Sequence, residues 1–419
     1  MLTYFVFIFF FSIVLYGVIQ KKWMAGIFIA SVYAFSSFCS ILLQNSVNNY
    51  QRPSVLPTIL YCSLLFIAIK PFLRGKPQIC GFSSYLENKR FVFVGYVLSL
   101  AVLFGMILLL PRVIATLEYG LVDARTAMYQ GDQYIEVDNS IISKIGSLFV
   151  GYFGSIWYLY IIMFFYSLAF IKGKYILKIL LIVASLSQVE ISLTIAGRTN
   201  AVYWMLSFFF TLLLFKPYLS KKTKKYAIYS FVLFMSFVFS YFAFVTVQRS
   251  LFTQGGTQGF VLSYSGMSYL KFCEFIDNMS WHPYSLERIF PFTSYIAGTG
   301  FNLSNYRNLI ESQTGLNIGI FYTFLGDIFV DVGIVGLLVF VLFYFKVTSN
   351  LLRPKIFNFK NLCFLGVTYV IPLHGVFYYS FWKTGDFCIL LAFIIGNYVT
   401  LKSKSLKKIN KRMSTYGTI

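Results

Sequence analysis

Two histidines, five arginines and a scatter of carboxylates are the groups in this 419-residue chain that could do chemistry. His282 sits in Trp-His-Pro-Tyr and His374 in PLHGVFYY. Imidazole titrates nearest neutrality of all side chains, so each is a candidate acceptor for a hydroxyl proton. His374 lies inside an apolar run, where an interhelical hydrogen bond is its simpler role. His282 lies in a long polar and aromatic segment, with Asp277 and Glu287 close enough in sequence to orient its ring, and is the better candidate base. Arg198, in SLTIAGRTNAVYW, and Arg249 stand beside apolar runs, whereas Arg125, Arg288 and Arg307 fall in the long segments between runs. A guanidinium beside hydrocarbon is costly unless it meets an anion or water, and its planar fork matches two phosphate oxygens at once. These five are the candidate phosphate ligands. For Arg198 the alternative is an ion pair with Glu190, about two helical turns back.

Asp327 and Asp331, four apart in FLGDIFVDVG, share one helix face. They could carry protons or cations, but pairing with arginines from neighbouring helices is the favoured reading. Gly333 and Gly336 then read as small residues that let helices pack closely. The chain holds no Asp-x-Asp, HExxH, CxxC or P-loop, so no metal or other cofactor is expected, and a metal-bridged nucleotide-sugar donor is disfavoured. Cys39, Cys62, Cys363 and Cys388 lie in apolar runs, Cys80 in a basic segment and Cys273 in a loop; packing is the expected role of all six.

The elements that must position these groups are membrane helices. Hydrophobic residues make up 58% of the chain and charged ones 12%, against about 25% charged in soluble domains. Apolar runs of membrane-spanning length recur throughout. Eleven spans are expected, near 2–20, 23–43, 55–73, 91–110, 146–171, 175–195, 199–219, 226–247, 318–345, 361–381 and 385–401, forming one transmembrane domain over 1–419. Assigning the clusters at 21–22, 70–90, 172–178, 216–225, 346–360 and 402–412 to one face collects 25 of the 35 basic residues and, of the 14 acids, Glu87 alone. The positive-inside rule makes that face cytoplasmic, with the N-terminus outside and a basic tail, 402–419, inside. Residues 1–20 lack a basic start and a small-residue cleavage site, so an uncleaved first helix is expected.

The net charge of +21 sits in short clusters beside spans. Topology and contact with the anionic lipid of the bilayer explain it, and no nucleic-acid module accompanies it. Two outer loops, about 111–145 and 248–317, far exceed the usual connection and are the natural home of a site. The second is aromatic-rich and partly helical; SYLKFCEFIDNM, with apolar residues at 270, 272, 273, 275, 276 and 279, fits a helix lying in the membrane interface.

Aromatic-rich spans, Gly197-Arg198 at a span end, RTAMYQG in the first outer loop, a large later loop and NIGIFYTFLGDIFVDVGIVG after it resemble the O-antigen or oligosaccharide repeat-unit polymerases, the Wzy-type enzymes of the bacterial envelope. The resemblance covers nearly the whole chain as architecture through short motifs. It implies an all-α, GT-C-like membrane glycosyltransferase in the bacterial plasma membrane, with its active site facing the periplasm. The implied substrate is an undecaprenyl-diphosphate-linked oligosaccharide, whose lipid diphosphate leaves as the glycan is transferred to a new unit. It implies neither nucleotide nor metal, and leaves open a polysaccharide chain-length regulator as protein partner. An arginine-x10-glycine pattern of some members is not reproduced from Arg249, where Gly259 comes one residue early. An O-antigen ligase shares these features and differs in its acceptor. A lipid-linked oligosaccharide flippase or secondary transporter is the alternative of another class, opposed by the absence of repeated halves.

Overall fold

A computed structural model describes residues 1–46, 52–74, 77–119, 141–194, 197, 199–229, 231–232, 235–236, 240, 256–280, 303–319, 321–354, 356–379, 381 and 385–401. In hydrocarbon every backbone N–H and C=O must find a partner within the chain, which a helix achieves locally. The chain accordingly folds as an all-α polytopic membrane protein. Its helices include α1 (Leu2–Ile19), α2 (Met24–Ser46), α3 (Val55–Arg74), α4 (Tyr85–Tyr119), α5 (Ile141–Tyr152), α6 (Trp157–Phe170), α7 (Tyr175–Ser185), α8 (Ser187–Thr194), α9 (Thr199–Phe215), α10 (Gly256–Asn278), α11 (Leu303–Thr314), α12 (Thr323–Leu352), α13 (Phe359–His374) and α14 (Gly385–Val399), and residues 221–229 are helical as well. Among the described residues seven stretches are long and apolar enough to cross a membrane: α1, α2, α3, α4, α5 with α6, α7 with α8, and α12.

Basic segments converge on one end. A two-stranded parallel ladder pairs β1 (Gln78–Ile79) with β2 (Ile356–Phe357). Ile79 N–H donates to the Tyr218 hydroxyl at 2.7 Å, and the Tyr166 hydroxyl to the Cys80 carbonyl at 3.1 Å. Arg90 reaches the Leu401 carbonyl. These bonds draw together the lysine- and arginine-bearing connections after α3, α6, α9, α12 and α14. At the opposite end Thr3 Oγ1 donates to Gln44 Oε1 at 2.6 Å, setting the start of α1 beside the end of α2. Thr116 Oγ1 there approaches the Thr194 carbonyl at 3.4 Å, within a turn of Glu118 and Glu190.

Two runs expected as single helices are broken. The run 146–171 is divided by a 3-10 turn over Gly154–Ile156. Such a break frees carbonyls that lipid cannot satisfy, and side chains meet four in succession. Ser155 Oγ donates to the Tyr152 carbonyl (2.6 Å), the Tyr160 hydroxyl to Phe153 (3.0 Å), Ser187 Oγ to Gly154 (3.3 Å) and Cys388 Sγ to Ser155 (3.6 Å). The run 175–195 divides at Leu186, beside the first break, since Ser187 opens α8. A third interruption falls in α12, where Gly333 has φ +67° and ψ −173°. That region is essentially closed to residues with a Cβ. Gly333 therefore serves backbone geometry, and the three atoms nearest to a Cβ on Gly336 would all belong to Val332 of its own helix.

The long loops are partly helix. α4 continues to Tyr119 and α5 starts at Ile141, so Arg112 and Lys144 are helical residues. In the second loop α10 covers all but the last residue of the expected 268–279 helix, but its apolar face meets protein instead of the membrane interface. Leu270, Phe272, Cys273, Phe275, Ile276 and Met279 are all buried. Ser36 Oγ and Ser40 Oγ of α2 donate to the carbonyls of Ser265 and Gly266 at 2.8 and 2.6 Å, and Thr58 Oγ1 bonds the Tyr269 hydroxyl at 2.8 Å. A Cβ on Gly266 would stand 2.6 Å from the Cys39 carbonyl carbon. In lipid such close approach and interhelical hydrogen bonding hold helices together, because apolar burial gains little. Cys273, expected in a loop, is thus a packing residue like Cys39, Cys62, Cys363 and Cys388, whereas Cys80 is exposed.

Candidate functional site

Of the eight residues singled out for the site, Asp277 and Arg307 are described; His282, Glu287, Arg125, Arg198, Arg249 and Arg288 lie outside the described residues, as does the tail 402–419. Asp277 is exposed in the last turn of α10, where its Oδ1 accepts from Ser54 Oγ at 2.8 Å. That bond ties the end of α10 to the segment entering α3. One turn earlier Lys271 and Glu274 form an ion pair at 2.6 Å. Phe275, on the same turn, packs its ring 4.6 Å from that of Tyr322, immediately before α12. The end bearing Asp277 and the start of α12 therefore form one wall.

Arg307 comes from α11, whose inner face is Tyr306 and Ile310, one turn apart and both buried. The helix ends with Gly315 N–H donating to the Glu311 carbonyl at 2.8 Å, and Asn317 Oδ1 then accepts from Gly319 N–H at 2.6 Å. Arg307 lies against that turn: a Cβ on Gly319 would be 3.9 Å from its guanidinium carbon and Nη1. Its Nε is buried with no hydrogen-bond partner among the described residues. A buried N–H without an acceptor costs about 1–3 kcal/mol.

Asp327 and Asp331 are fully buried on the first half of α12. The segment after α13 folds over the start of that helix: Thr323 N–H donates to the Phe377 carbonyl (3.1 Å) and Phe324 N–H to Gly375 (2.8 Å). Asp327 Oδ2 in return accepts from Tyr379 N–H at 2.5 Å. Asp331 Oδ1 accepts from the Tyr306 hydroxyl at 2.5 Å. A backbone amide and a phenol are thus among the partners of the two carboxylates. Glu190 is buried in α8 with its Oε2 unpartnered among the described residues, and its expected ion pair with Arg198 falls outside them.

His374, at the end of α13, is buried between two aromatic rings. Trp157 stacks at 5.4 Å with an interplanar angle of 6°, and Tyr203 at 4.3 Å and 11°. Its Nε2 hydrogen-bonds Ser207 Oγ at 2.8 Å. It is a satisfied interhelical residue, as its apolar surroundings suggest.

Sequence reasoning missed Tyr306, a phenol in a polar helix that nothing local marks as a carboxylate partner 25 residues away. Its i,i+4 relation to Ile310 was the available signal for a buried face. Among the described residues no group of three or more His, Cys, Asp or Glu could hold a metal ion. Comparison with protein-family models, curated proteins and solved structures finds no match to this chain.

Proposed function

We propose that this protein is a membrane glycosyltransferase that polymerises undecaprenyl-diphosphate-linked oligosaccharide repeat units into O-antigen or a related surface polysaccharide. The observation that supports this reading best is the segregation of charge. The basic connections are tied together at one end, while Asp277, Arg307 and the Tyr306–Asp331 pair stand toward the end where the long loops emerge. With eleven spans and the basic end in the cytoplasm, that second end faces the periplasm of a bacterial plasma membrane. The membrane there holds two lipid-linked units at one height, so their reacting ends search in two dimensions.

The reaction breaks the bond between the anomeric carbon and the diphosphate oxygen, which departs with the electron pair. The acceptor hydroxyl oxygen forms the new glycosidic bond and gives its proton to a base, for which His282 is the candidate, oriented by Asp277 or Glu287. Negative charge grows on the leaving diphosphate, and preorganised guanidinium groups stabilise it better than water does. Arg198, Arg249, Arg288, Arg307 and Arg125 are the candidates for that task.

One observation favours a second reading. A span interrupted at Gly333 shortly after two buried carboxylates resembles the discontinuous helices from which transporters build ion sites, in keeping with a flippase of lipid-linked oligosaccharide. Deletion of the gene separates the two. Surface glycan capped by a single repeat unit supports polymerisation, whereas carrier-linked units accumulating on the cytoplasmic leaflet support the flippase.

A further inference from the structure

The Tyr306–Asp331 bond joins the loop helix α11 to the interior of α12, two residues before the Gly333 interruption. Both partners are buried, the phenol at 4% exposure and the carboxylate at 0%. A hydrogen bond to a carboxylate in a water-poor setting is among the stronger ones, and it fixes rotation of α11 about its own axis. The next residue along α11 is Arg307. Its guanidinium is laid along the 317–319 turn, where the Asn317 side-chain oxygen is already committed to Gly319 N–H. Arg307 Nε stays buried and unpartnered among the described residues. Buried donors in native structures are nearly always paired, so this one is open to an acceptor that the described residues do not supply.

We infer that Tyr306 and Asp331 are positioning residues that hold Arg307 ready for an anionic diphosphate oxygen. This assignment rests on the polymerase reading for the identity of its ligand, a lipid-linked diphosphate, but its geometry stands apart from that reading. The phenol supplies the bond and the carboxylate anchors it in the membrane body. The guanidinium, next in sequence and turned toward the 317–319 segment, supplies the donor. Arginine suits the task because its fork is rigid once the stem is packed, whereas lysine offers a mobile point charge.

The test uses the full-length protein purified in detergent micelles, with inorganic pyrophosphate as the probe and melting temperature recorded in parallel. Tyr306→Phe removes one oxygen and keeps the ring; Asp331→Asn keeps an acceptor but removes the charge. Each is expected to weaken pyrophosphate binding about tenfold, and the double variant no further, because both act on one bond. Arg307→Lys should lose at least as much as either, and Arg307→Ala all measurable binding at that site. Wild-type affinity in Tyr306→Phe, even with a lowered melting temperature, would make the bond purely structural and overturn the proposal. So would unchanged affinity in Arg307→Ala, or a wild-type protein that binds no pyrophosphate. If the binding results come out as expected while gene deletion leaves surface glycan unaltered, the anion site stands and the polymerase reading fails.

Discussion

Truncating His374 separates structural from chemical roles for the two histidines, and its cost can be worked from the contacts. The ring is stacked on Trp157 and Tyr203 and bonded to Ser207. Aromatic pairs contribute about 0.5–1.5 kcal/mol each beyond their buried area, and interhelical hydrogen bonds in membranes average about 0.6 kcal/mol. Adding the cavity left by a removed ring places His374→Ala near the range of about 3–5 kcal/mol seen for buried aromatic truncations. With the unfolding entropy typical of globular chains, about 4 kcal/mol lowers the midpoint of a chain this long by about 4–5 °C. His374→Phe keeps both stacking partners but gives up the ring's bonds to Ser207 and to the Tyr203 backbone, so it should cost about 1–2 kcal/mol. The assay is thermal unfolding of the purified protein in micelles, read by loss of monodisperse material. Glycan length in cells carrying each variant is measured alongside. His374→Ala melting at the wild-type temperature would refute the packing argument. A stable His374→Phe protein that makes no polymer would move His374 from structure to chemistry.

Gly266→Val places a methyl-bearing carbon against the Cys39 backbone and should lower the yield of folded protein sharply, while Gly266→Ala shows an intermediate loss; equal yields from all three would contradict the close contact of α10 and α2. Gly333→Ala must hold a Cβ at a positive φ with extended ψ and should destabilise by about 1–3 kcal/mol; an unchanged melting temperature would argue that α12 runs straight. Reporter fusions after Lys225 and after Arg412 should report cytoplasm, and one in the 281–302 segment the periplasm. His282→Ala should leave protein level intact and slow transfer by about two to four orders of magnitude. A wild-type transfer rate near neutral pH would pass the base role to Glu287.

The membrane class, the long apolar helices and the basic end were legible because hydrocarbon imposes length and composition on every residue that crosses it. The breaks were not. The run 146–171 is apolar throughout, and its interruption depends on hydroxyls from Ser187 and Tyr160 and a thiol from Cys388, which only the fold brings to the freed carbonyls. α10 was readable as a helix from its apolar spacing. That spacing shows which face is buried and not whether lipid or protein buries it; Gly266 and its contact with α2 decide the matter. Asp327 and Asp331 were identified as needing partners, but an amide from Tyr379 and a phenol from Tyr306 carry no charge signature that sequence could match to a carboxylate.

Polymerisation is measured directly by supplying the purified full-length protein, in lipid, with a single undecaprenyl-diphosphate-linked repeat unit and resolving the products by size. A ladder at repeat-unit spacing is expected, with one equivalent of undecaprenyl diphosphate released for each glycosidic bond formed. A substrate recovered intact as single units, from protein shown to be folded and correctly oriented, would contradict the polymerase reading.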